Sequence, residues 1–361
     1  MESKLSKAQQ EDKSYVDQHQ LEKLIGEMLN ALVHAKDPAP VIFMIKYLAG
    51  LCSAEELSQN GITVQGQLPQ AKPLIKFPTF PDTCNSYLKR FLTRDLWDRL
   101  NDKRTKLHGD FLTCIRAGIE NPETTIGVYA TDDEAYGLFE GLFVPIAEEM
   151  HNWSKANRHR SRLEIEGFSQ ENLDPKGKYI EAVRIRVSRN FEGFPFPVNL
   201  NPQERERVEK KALEVLNVNL GGSYIPRAEE DQFAALELVF DSFNNTDPLL
   251  KSTKAFEDWP KNRGIFQSEG VYVNVNQEDH LKIYSFEKSA DIQKVWKQVV
   301  SAASKLENHT AFSNHDSLGY LTASPANLGT SMKITFRVHL PELCRTPEFT
   351  QLLSTFNASY L

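Results

Sequence analysis

Cysteine is scarce in this sequence, which has 4 cysteines among 361 residues. Cys52, Cys84, Cys114 and Cys344 lie far apart, so they form neither the dense pattern of a secreted disulfide scaffold nor a closely spaced zinc-binding pair. We therefore expect a reducing, intracellular compartment and no metal site.

Long apolar runs are also missing. The N-terminal segment MESKLSKAQQEDKSYVDQHQ is polar and has no apolar core of a signal peptide. The longest apolar stretches, such as Val41–Ile45, are far shorter than the ~20 residues that span a bilayer. The sequence predicts a soluble, cytoplasmic protein without a membrane partner.

Basic residues are also not in excess in this sequence. The chain has 42 Lys and Arg against 49 Asp and Glu, a net charge of −7, which argues against a nucleic-acid partner recognised by a general basic field. A chain of 361 residues also exceeds the usual ~100–200 residues of one domain, so more than one domain is expected.

The first periodic region follows a charged, glutamine-rich tail, residues 1–18, which we expect to be mobile or ordered by a partner. Apolar residues in Leu21–Val33 recur with the spacing of one helix face, and the proline-containing stretch Asp37–Pro40 ends that helix. A second apolar helix is predicted at Val41–Leu51. Two helices this short cannot enclose a core alone, so residues 19–57 need a second copy or the rest of the chain.

Residues 21–51, LEKLIGEMLNALVHAKDPAPVIFMIKYLAGL, resemble the dimerization/docking domain of the regulatory subunit of cyclic-AMP-dependent protein kinase. The resemblance implies a four-helix homo- or heterodimer that binds an amphipathic helix of an anchoring protein. The alternative is a hairpin packed on its own chain. The expected dimer and docking positions are Leu24, Ile25, Met28, Leu29, Leu32, Phe43, Ile45 and Leu48.

The rest of the chain is predicted to hold two linkers, 58–82 and 153–177, a small all-α domain at 83–152, and an α+β domain with an antiparallel sheet at 178–361. Gly118 is expected to end a helix. The expected helices are Asn85–Leu100, Asp110–Ile119, Asp132–His151, Pro202–Leu216, Asp231–Phe243 and Ala290–Glu307, and the expected strands are Tyr179–Val187, Val271–Val275, His280–Ser285 and Met332–His339.

Two arginines on one strand give the first chemical signal. Arg184 and Arg186 alternate along the strand, so both point to the same face, where a polyphosphate or nearby carboxylates would relieve their repulsion. Asn276–Lys282 gives the second signal, because Glu278 could orient or deprotonate a nitrogen nucleophile there, or lie on a solvated strand end. In the turn Ser324–Thr330, backbone N–H groups could face an anion.

Taken in order, the segments of residues 87–343 resemble the phosphagen (guanidino) kinases, the family of creatine kinase and arginine kinase. The resemblance implies an all-helical domain followed by an ATP-binding antiparallel-sheet domain of the guanidino kinase/glutamine synthetase type. Active members transfer the γ-phosphoryl group of MgATP to a guanidinium nitrogen. The matching segments are FLTRDLWDRL, IGVYATDDEAY, LFVPIAEEMH, NLDPKGKY, RIRVSRNFEGFPFP, WPKNRGIF, VNQEDHLKIYS, HDSLGYLTASPANLGT and VHLPEL.

The resemblance assigns Arg184 and Arg186 to nucleotide binding, and it places Lys282 and Lys333 where active members have further phosphate-binding arginines. Glu278 matches one of two catalytic glutamates. The loop that carries the other glutamate and a fifth arginine would follow VHLPELCRTPEF, and the sequence ends before it, so we expect a truncated catalytic-type domain.

Other positions of the guanidino-substrate and nucleotide sites differ from the family pattern. Tyr129 matches a substrate-loop tyrosine, but Ser324 replaces the reactive cysteine. Gln232 and Arg337 replace histidines, and Asn274 replaces a tryptophan. These departures predict a pseudoenzyme that needs no cofactor, with ATP and Mg²⁺ bound only if the nucleotide site is retained.

The expected function is a non-catalytic scaffold that docks an anchoring helix, by analogy in a ciliary or flagellar axonemal complex such as a radial spoke. The alternatives are an active ATP:guanidino phosphotransferase and a nucleotide sensor that uses Arg184 and Arg186.

Overall fold

The computed structural model describes residues 15–16, 21–52, 54–62, 77–159, 163, 172–234, 236 and 243–355. Most of the predicted tail 1–18 and linker 58–82, and parts of the predicted linker 153–177 and helix Asp231–Phe243, lie outside the described residues. The chain divides into two compact units, Met1–Phe77 and Pro78–Leu361. No helix in the described part of the chain is long and apolar enough to cross a membrane.

The first unit contains the helical hairpin. Helix α1 (Leu21–Ala35) is followed by α2 (Pro40–Ala49) and the short α3 (Ala54–Gln59). The turn between α1 and α2 is closed by the Asp37 carboxylate, which accepts a hydrogen bond from the Ala39 N–H at 2.8 Å. Proline at the first position of α2 costs no hydrogen bond, so this helix begins at Pro40.

The second unit begins with short helices: α4 (Tyr87–Phe91), α5 (Arg94–Leu100), α6 (Phe111–Glu120), α7 (Ala135–Leu138) and α8 (Glu140–His151). The expectation of one continuous helix from Asn85 to Leu100 was wrong. Thr93 is an N-cap, because its hydroxyl accepts a hydrogen bond from the Leu96 N–H at 3.2 Å and starts a new helix.

Two further predictions in this region need correction. The segment Asp132–His151 forms α7 and α8 in place of one helix, because Phe139 lies between them with φ −107° and ψ 29°, outside the helical region. Gly118 lies inside α6 and does not end it. It is a close-contact site, because a Cβ there would lie 2.4 Å from the Gly127 carbonyl oxygen.

The main sheet of the second unit is antiparallel and six-stranded. Its strand order is β2-β3-β4-β5-β1-β8. The strands are β1 (Ile180–Arg189), β2 (Ser223–Pro226), β3 (Gly264–Ser268), β4 (Val271–Val275), β5 (Leu281–Glu287) and β8 (Met332–Val338), and β6 (Asn314–His315) pairs with β7 (Gly319–Tyr320) in a small separate sheet.

Two long helices cover one face of the main sheet. The elements after β1 are α9 (Pro202–Asn219), α10 (Glu230–Ala234), α11 (Pro248–Lys251), α12 (Ile292–Glu307) and α13 (Phe349–Thr355), with short 3₁₀ turns at Lys254–Phe256, Pro325–Asn327 and Leu343–Arg345. Apolar side chains of α9 and α12 pack with Val183, Ile185 and Val187 of β1 in the core. The opposite face carries Arg184 and Arg186 of β1 together with the stacked aromatic rings of Tyr272, Tyr284 and Phe286.

The predicted strands and long helices are present with small shifts in their ends. The expected helix Ala290–Glu307 begins at Ile292, because the Asp291 carboxylate caps it through the Lys294 N–H at 3.0 Å. His280 lies just before β5, because its backbone N–H donates to the side-chain oxygen Oδ1 of Asn190 at 2.8 Å. β2 and β3 were missed, because both are short and lack clear alternation.

Candidate functional site

The candidate site lies on the sheet face opposite the core. Along β1, Ile185 faces the core, so Arg184 and Arg186 project from the other face and are half-buried there. In the strand register, Arg186 lies opposite Tyr284 of β5 on one side and Lys333 of β8 on the other. The two arginines predicted to share a face therefore do so, with a lysine added from the neighbouring strand.

Lys333 is held in a like-charged environment. Burial lowers its pKa from the ordinary value, and the positive charges of Arg186 and Arg184 lower the pKa further, while Glu278 opposes the shift. Directly opposed residues have Cβ atoms only ~4.5–5.5 Å apart, so the Arg186 and Lys333 charges repel each other. An anion between the two strands would relieve this repulsion.

Arg186 also has unused hydrogen-bonding capacity. Its Nη2 contacts Asn327 Oδ1 at 3.5 Å, a long hydrogen bond. Its Nη1 is buried and has no hydrogen-bond partner among the described residues. Because a buried donor without a partner costs free energy, this atom fits an acceptor such as a phosphate oxygen.

Glu278 faces the same cleft from the loop before β5. The Asn327 side-chain amide donates to its Oε2 at 3.4 Å, so Asn327 lies between Glu278 and Arg186. Burial raises the pKa of Glu278, the neighbouring Asp279 raises it further, and Lys282 and Arg186 oppose the shift. The interpretation of this loop as a solvated strand end was wrong, since Asn276, Asp279 and His280 are fully buried.

Lys282 is engaged by a neighbouring side chain. Its ammonium group donates to Gln277 Oε1 at 2.5 Å, and the Asn274 amide donates to the same oxygen at 3.1 Å. Asn274 lies opposite Lys282 in the register of β4 and β5. The amide oxygen of Gln277 thus takes up part of the hydrogen-bonding capacity that a bound anion would use.

Several N–H groups of the turn Ser324–Thr330, which were predicted to be able to face an anion, are engaged within the protein. The Ala326 N–H is directed to the Ser324 hydroxyl at 3.4 Å, and the Asn327 N–H donates to the Ser324 carbonyl at 3.0 Å. The Gly329 N–H donates to the Leu318 carbonyl at 2.8 Å. Ser324 is buried and caps the turn, so its hydroxyl has a structural contact.

Two hydrogen bonds through Ala323 connect the segment of Tyr129 with the loop that carries Glu278. The Ala130 N–H donates to the Ala323 carbonyl at 2.7 Å, and the Ala323 N–H donates to Asp279 Oδ1 at 2.9 Å. Tyr129 is buried, and burial raises the pKa of its phenol, followed by the charge of Glu278. The predicted substrate-loop residue thus belongs to the same site.

Some predicted positions lie apart, and some contributors were missed. Gln232 is exposed on α10, and Arg337 is exposed near the end of β8. Asn327 and Gln277 had no predicted role, although both stand within the segments that carry the family resemblance. Among the described residues, no group of three or more His, Cys, Asp or Glu side chains could hold a metal ion.

The hairpin forms a second candidate surface in the first unit. Met28 and Tyr47 are buried, whereas Leu24, Leu32 and Phe43 are half-buried. Large aliphatic side chains remain exposed along both helices. They are Ile25, Leu29 and Val33 on α1 and Val41, Ile42, Ile45 and Leu48 on α2.

Comparison with known families matches the two halves of the second unit. The profile described as ATP:guanido phosphotransferase, N-terminal domain, matches residues 82–148, and the profile of the C-terminal catalytic domain of the same family matches residues 205–361. Both the helical region and the sheet region are therefore accounted for by one family.

Curated relatives include arginine kinases. The chain is 34% identical over 295 residues to arginine kinase Oct f 2 of Amphioctopus fangsiao, covering 80% of this chain and 85% of the relative. It is 36% identical over 273 residues to arginine kinase Lit v 2.0101 of Penaeus vannamei, covering 73% of this chain and 77% of the relative.

Solved structures of the same kind share the fold. The duplicated taurocyamine kinase from Schistosoma mansoni matches with a TM-score of 0.70 and 27% identity over 76% of this chain and 40% of that duplicated chain. A lombricine kinase matches with a TM-score of 0.67 and 25% identity over 77% of this chain and 80% of the other. The fold and the sheet-face site define a phosphagen kinase type of protein. This chain belongs to the ATP:guanido phosphotransferase family.

Proposed function

We propose that this chain is a docking scaffold of the phosphagen kinase family. Its N-terminal hairpin forms a dimer that binds an amphipathic helix of an anchoring protein, and its kinase-type domain keeps an anion site without transferring phosphate. The observation that carries the proposal is the apolar surface of the hairpin, where seven large aliphatic side chains of α1 and α2 are 40% to 70% exposed.

The exposed side chains form two stripes. Ile25, Leu29 and Val33 recur at every fourth position of α1 and share one face, and Val41, Ile45 and Leu48 share a face of α2. Exposed apolar area costs about 25 cal/mol per Å² relative to burial, so contiguous stripes favour association. A second copy of the hairpin would cover one stripe, and an amphipathic helix would cover the other.

Introducing a charge at Leu29 tests the docking role. Leu29→Asp should convert the dimer into a monomer in light scattering and abolish capture of amphipathic anchoring helices, because the carboxylate would lie in the apolar contact. Asn30→Asp adds the same charge at the exposed neighbouring position and should change neither. Equal masses and equal capture for the Leu29→Asp variant and the unmodified chain would reject the docking role.

Loss of phosphotransfer is proposed from the side chains of the cleft. Lys282 and Lys333 supply point charges, whereas an arginine supplies a planar fork that matches phosphate. An arginine clamp on a transferring phosphoryl group is worth about 10³–10⁵ in rate. The Lys282 ammonium is in addition hydrogen-bonded to Gln277. These side chains therefore keep positive charge in the cleft, but they do not supply the planar forks that would clamp a phosphoryl group in the transition state.

An active ATP:guanidino phosphotransferase is the second candidate. It is favoured by the retention of Glu278 next to Arg186 and Tyr129, with a raised pKa suited to proton transfer. In that case Arg184, Arg186 and Lys333 would hold the phosphates of ATP, and Mg²⁺ would neutralise developing charge. Glu278 would orient the guanidinium of the substrate.

A nucleotide sensor is the third candidate, favoured by the buried, unpartnered Nη1 of Arg186. Calorimetric titration with MgADP should then give heat that Arg186→Ala removes, and absence of heat with the unmodified chain would exclude this candidate.

A place in a ciliary or flagellar axoneme is proposed by analogy with other docking modules. Co-fractionation of the tagged chain with isolated axonemes would test it.

A further inference from the structure

A cavity of about 270 Å³ lies between the end of α8 and the turn Ser324–Thr330. Its lining includes an indole, two imidazoles and two leucine side chains, those of Trp153, His151, His159, Leu318 and Leu328. Protein interiors are close-packed, and gaps wider than a water molecule are few. Sites that hold small molecules measure about 300–1,000 Å³, so this cavity has nearly the volume of a ligand site.

The lining of the cavity is uncharged. None of the lining residues that the structure describes is an aspartate, glutamate, lysine or arginine. Burial lowers the pKa of His159 below its ordinary 6.5, so this ring is neutral at neutral pH. The lining also has the hydroxyl groups of Ser317 and Thr330. A charged ligand would lose hydration here without gaining a partner of opposite charge, so the lining favours an uncharged one.

Two walls of the cavity are planar rings. The His159 ring packs closely on two glycines, because a Cβ on Gly319 would lie 2.7 Å from its Nδ1 and a Cβ on Gly329 would lie 3.0 Å from its Nε2. The indole of Trp153 forms another wall. Aromatic rings make favourable offset-stacked contacts with each other. These walls therefore favour a planar ligand.

The cavity borders the turn that carries Asn327. The three residues after Asn327 belong to the lining. The His151 Nε2–H donates to the Pro325 carbonyl at 2.8 Å, which attaches the end of α8 to the same turn. Asn327 contacts Arg186 at 3.5 Å and Glu278 at 3.4 Å, and both hydrogen bonds are long. A ligand in the cavity would contact the turn beside Asn327 and restrict its movement.

We propose that this cavity binds a small, uncharged, planar heterocycle, which holds the turn that carries Asn327. The ligand stacks on the rings of Trp153 and His159, and a ring amide at its polar edge exchanges hydrogen bonds with the hydroxyl groups of the lining. The proposal depends neither on the docking role of the hairpin nor on nucleotide binding in the cleft.

The test uses methyl NMR of the full chain with carbostyril, an uncharged planar bicyclic lactam. Carbostyril should shift the methyl signals of Leu318 and Leu328 saturably, and the signals of Leu216 in the core behind the sheet should not move. N-methylquinolinium, which is planar but charged, and the fully saturated analogue of carbostyril, which is uncharged but not planar, should each bind at least about tenfold more weakly. Unmoved signals of Leu318 and Leu328, or equal binding of the three compounds, would overturn the proposal.

A variant that narrows the cavity locates the site. Ala147 belongs to the lining, so Ala147→Leu should weaken carbostyril binding at least about tenfold. Ala156→Leu adds the same side chain at an exposed position outside the lining and should bind as the unmodified chain does. Equal affinities of the two variants would place the ligand elsewhere and reject the site.

Hydrogen exchange of the unmodified chain tests the effect on the turn without any substitution. The Gly329 N–H donates to the Leu318 carbonyl at 2.8 Å. Saturating carbostyril should slow exchange of this N–H at least about threefold, because the ligand restricts opening of the turn. Unchanged exchange at Gly329 would show that the ligand does not hold the turn, which contradicts the proposal.

Discussion

At the scale of single residues, the cleft is positively charged, but Lys282 and Lys333 cannot make the bidentate hydrogen bonds that arginines would make at these positions. Arg186 and Lys333 are paired across two strands, and Asn327 links Arg186 to Glu278. Alternation along β1 was enough to predict that Arg184 and Arg186 share a face. Asn327 was not predicted as a contributor, because it meets Arg186 only through the folding of a distant turn.

Restoring a fork at Lys333 should strengthen anion binding. Lys333→Arg adds bidentate geometry beside Arg186, so we expect affinity for MgADP to rise about three- to tenfold in calorimetry. Lys305→Arg, the same change at an exposed position on α12, should have no effect. An unchanged affinity for Lys333→Arg would show that this strand position does not contact the anion.

His280 should make the fold sensitive to acid. Burial lowers its pKa to about 3 from the ordinary 6.5, and the charges of Arg205 and Lys211 act in the same direction, against the hydrogen bond to the Pro195 carbonyl. Its Nδ1 accepts the Phe191 N–H at 3.0 Å, so the ring is held neutral. As the pH falls, the ring therefore becomes protonated in the unfolded chain at a higher pH than in the folded protein.

The stability that His280 contributes is complete above pH 6.5 and is lost as the pH falls from 6.5 toward about 3. The expected slope is at most about 1.4 kcal/mol per pH unit in that window. Urea unfolding between pH 7 and pH 5 measures it, and His280→Gln should be less stable at pH 7 with a flatter profile. An equally steep profile for His280→Gln would assign the acid sensitivity to other groups.

At the scale of elements, the long periodic segments were predictable and the short or capped ones were not. Helices α9 and α12 and strand β4 follow hydrophobic patterns that propensity and periodicity define. The break between α4 and α5 depends on one side-chain cap at Thr93. The position of Gly118 inside α6 depends on contact with Gly127, a residue of another segment, which no local pattern reveals.

Gly118 should be intolerant of a side chain. A Cβ at this position would lie 2.4 Å from the Gly127 carbonyl oxygen, so Gly118→Ala must push the loop that carries Tyr129 away from α6. We expect a loss of about 1–3 kcal/mol in the free energy of unfolding, measured with urea. Gly137→Ala, on α7 with open space around it, should cost nothing, and an equal loss in both variants would contradict the close-contact explanation.

At the scale of the whole molecule, the chain joins a unit with an apolar helical surface to a second unit with the phosphagen kinase fold. The family and the fold class were predicted from collinear segments, and the comparisons confirm them. The docking partner, the axonemal location and the absence of activity stay predictions. They depend on partners and on transition-state geometry, which residue patterns do not specify.

The central claim is that the kinase-type domain carries an anion site without phosphotransfer. Phosphorus NMR of the full chain with MgATP and arginine, taurocyamine or lombricine tests it most directly, with Glu278→Gln as the background. We predict no phosphorylated guanidine above the level of the Glu278→Gln variant. Formation of such a product by the unmodified chain, and its loss in that variant, would contradict the scaffold account and establish an active kinase.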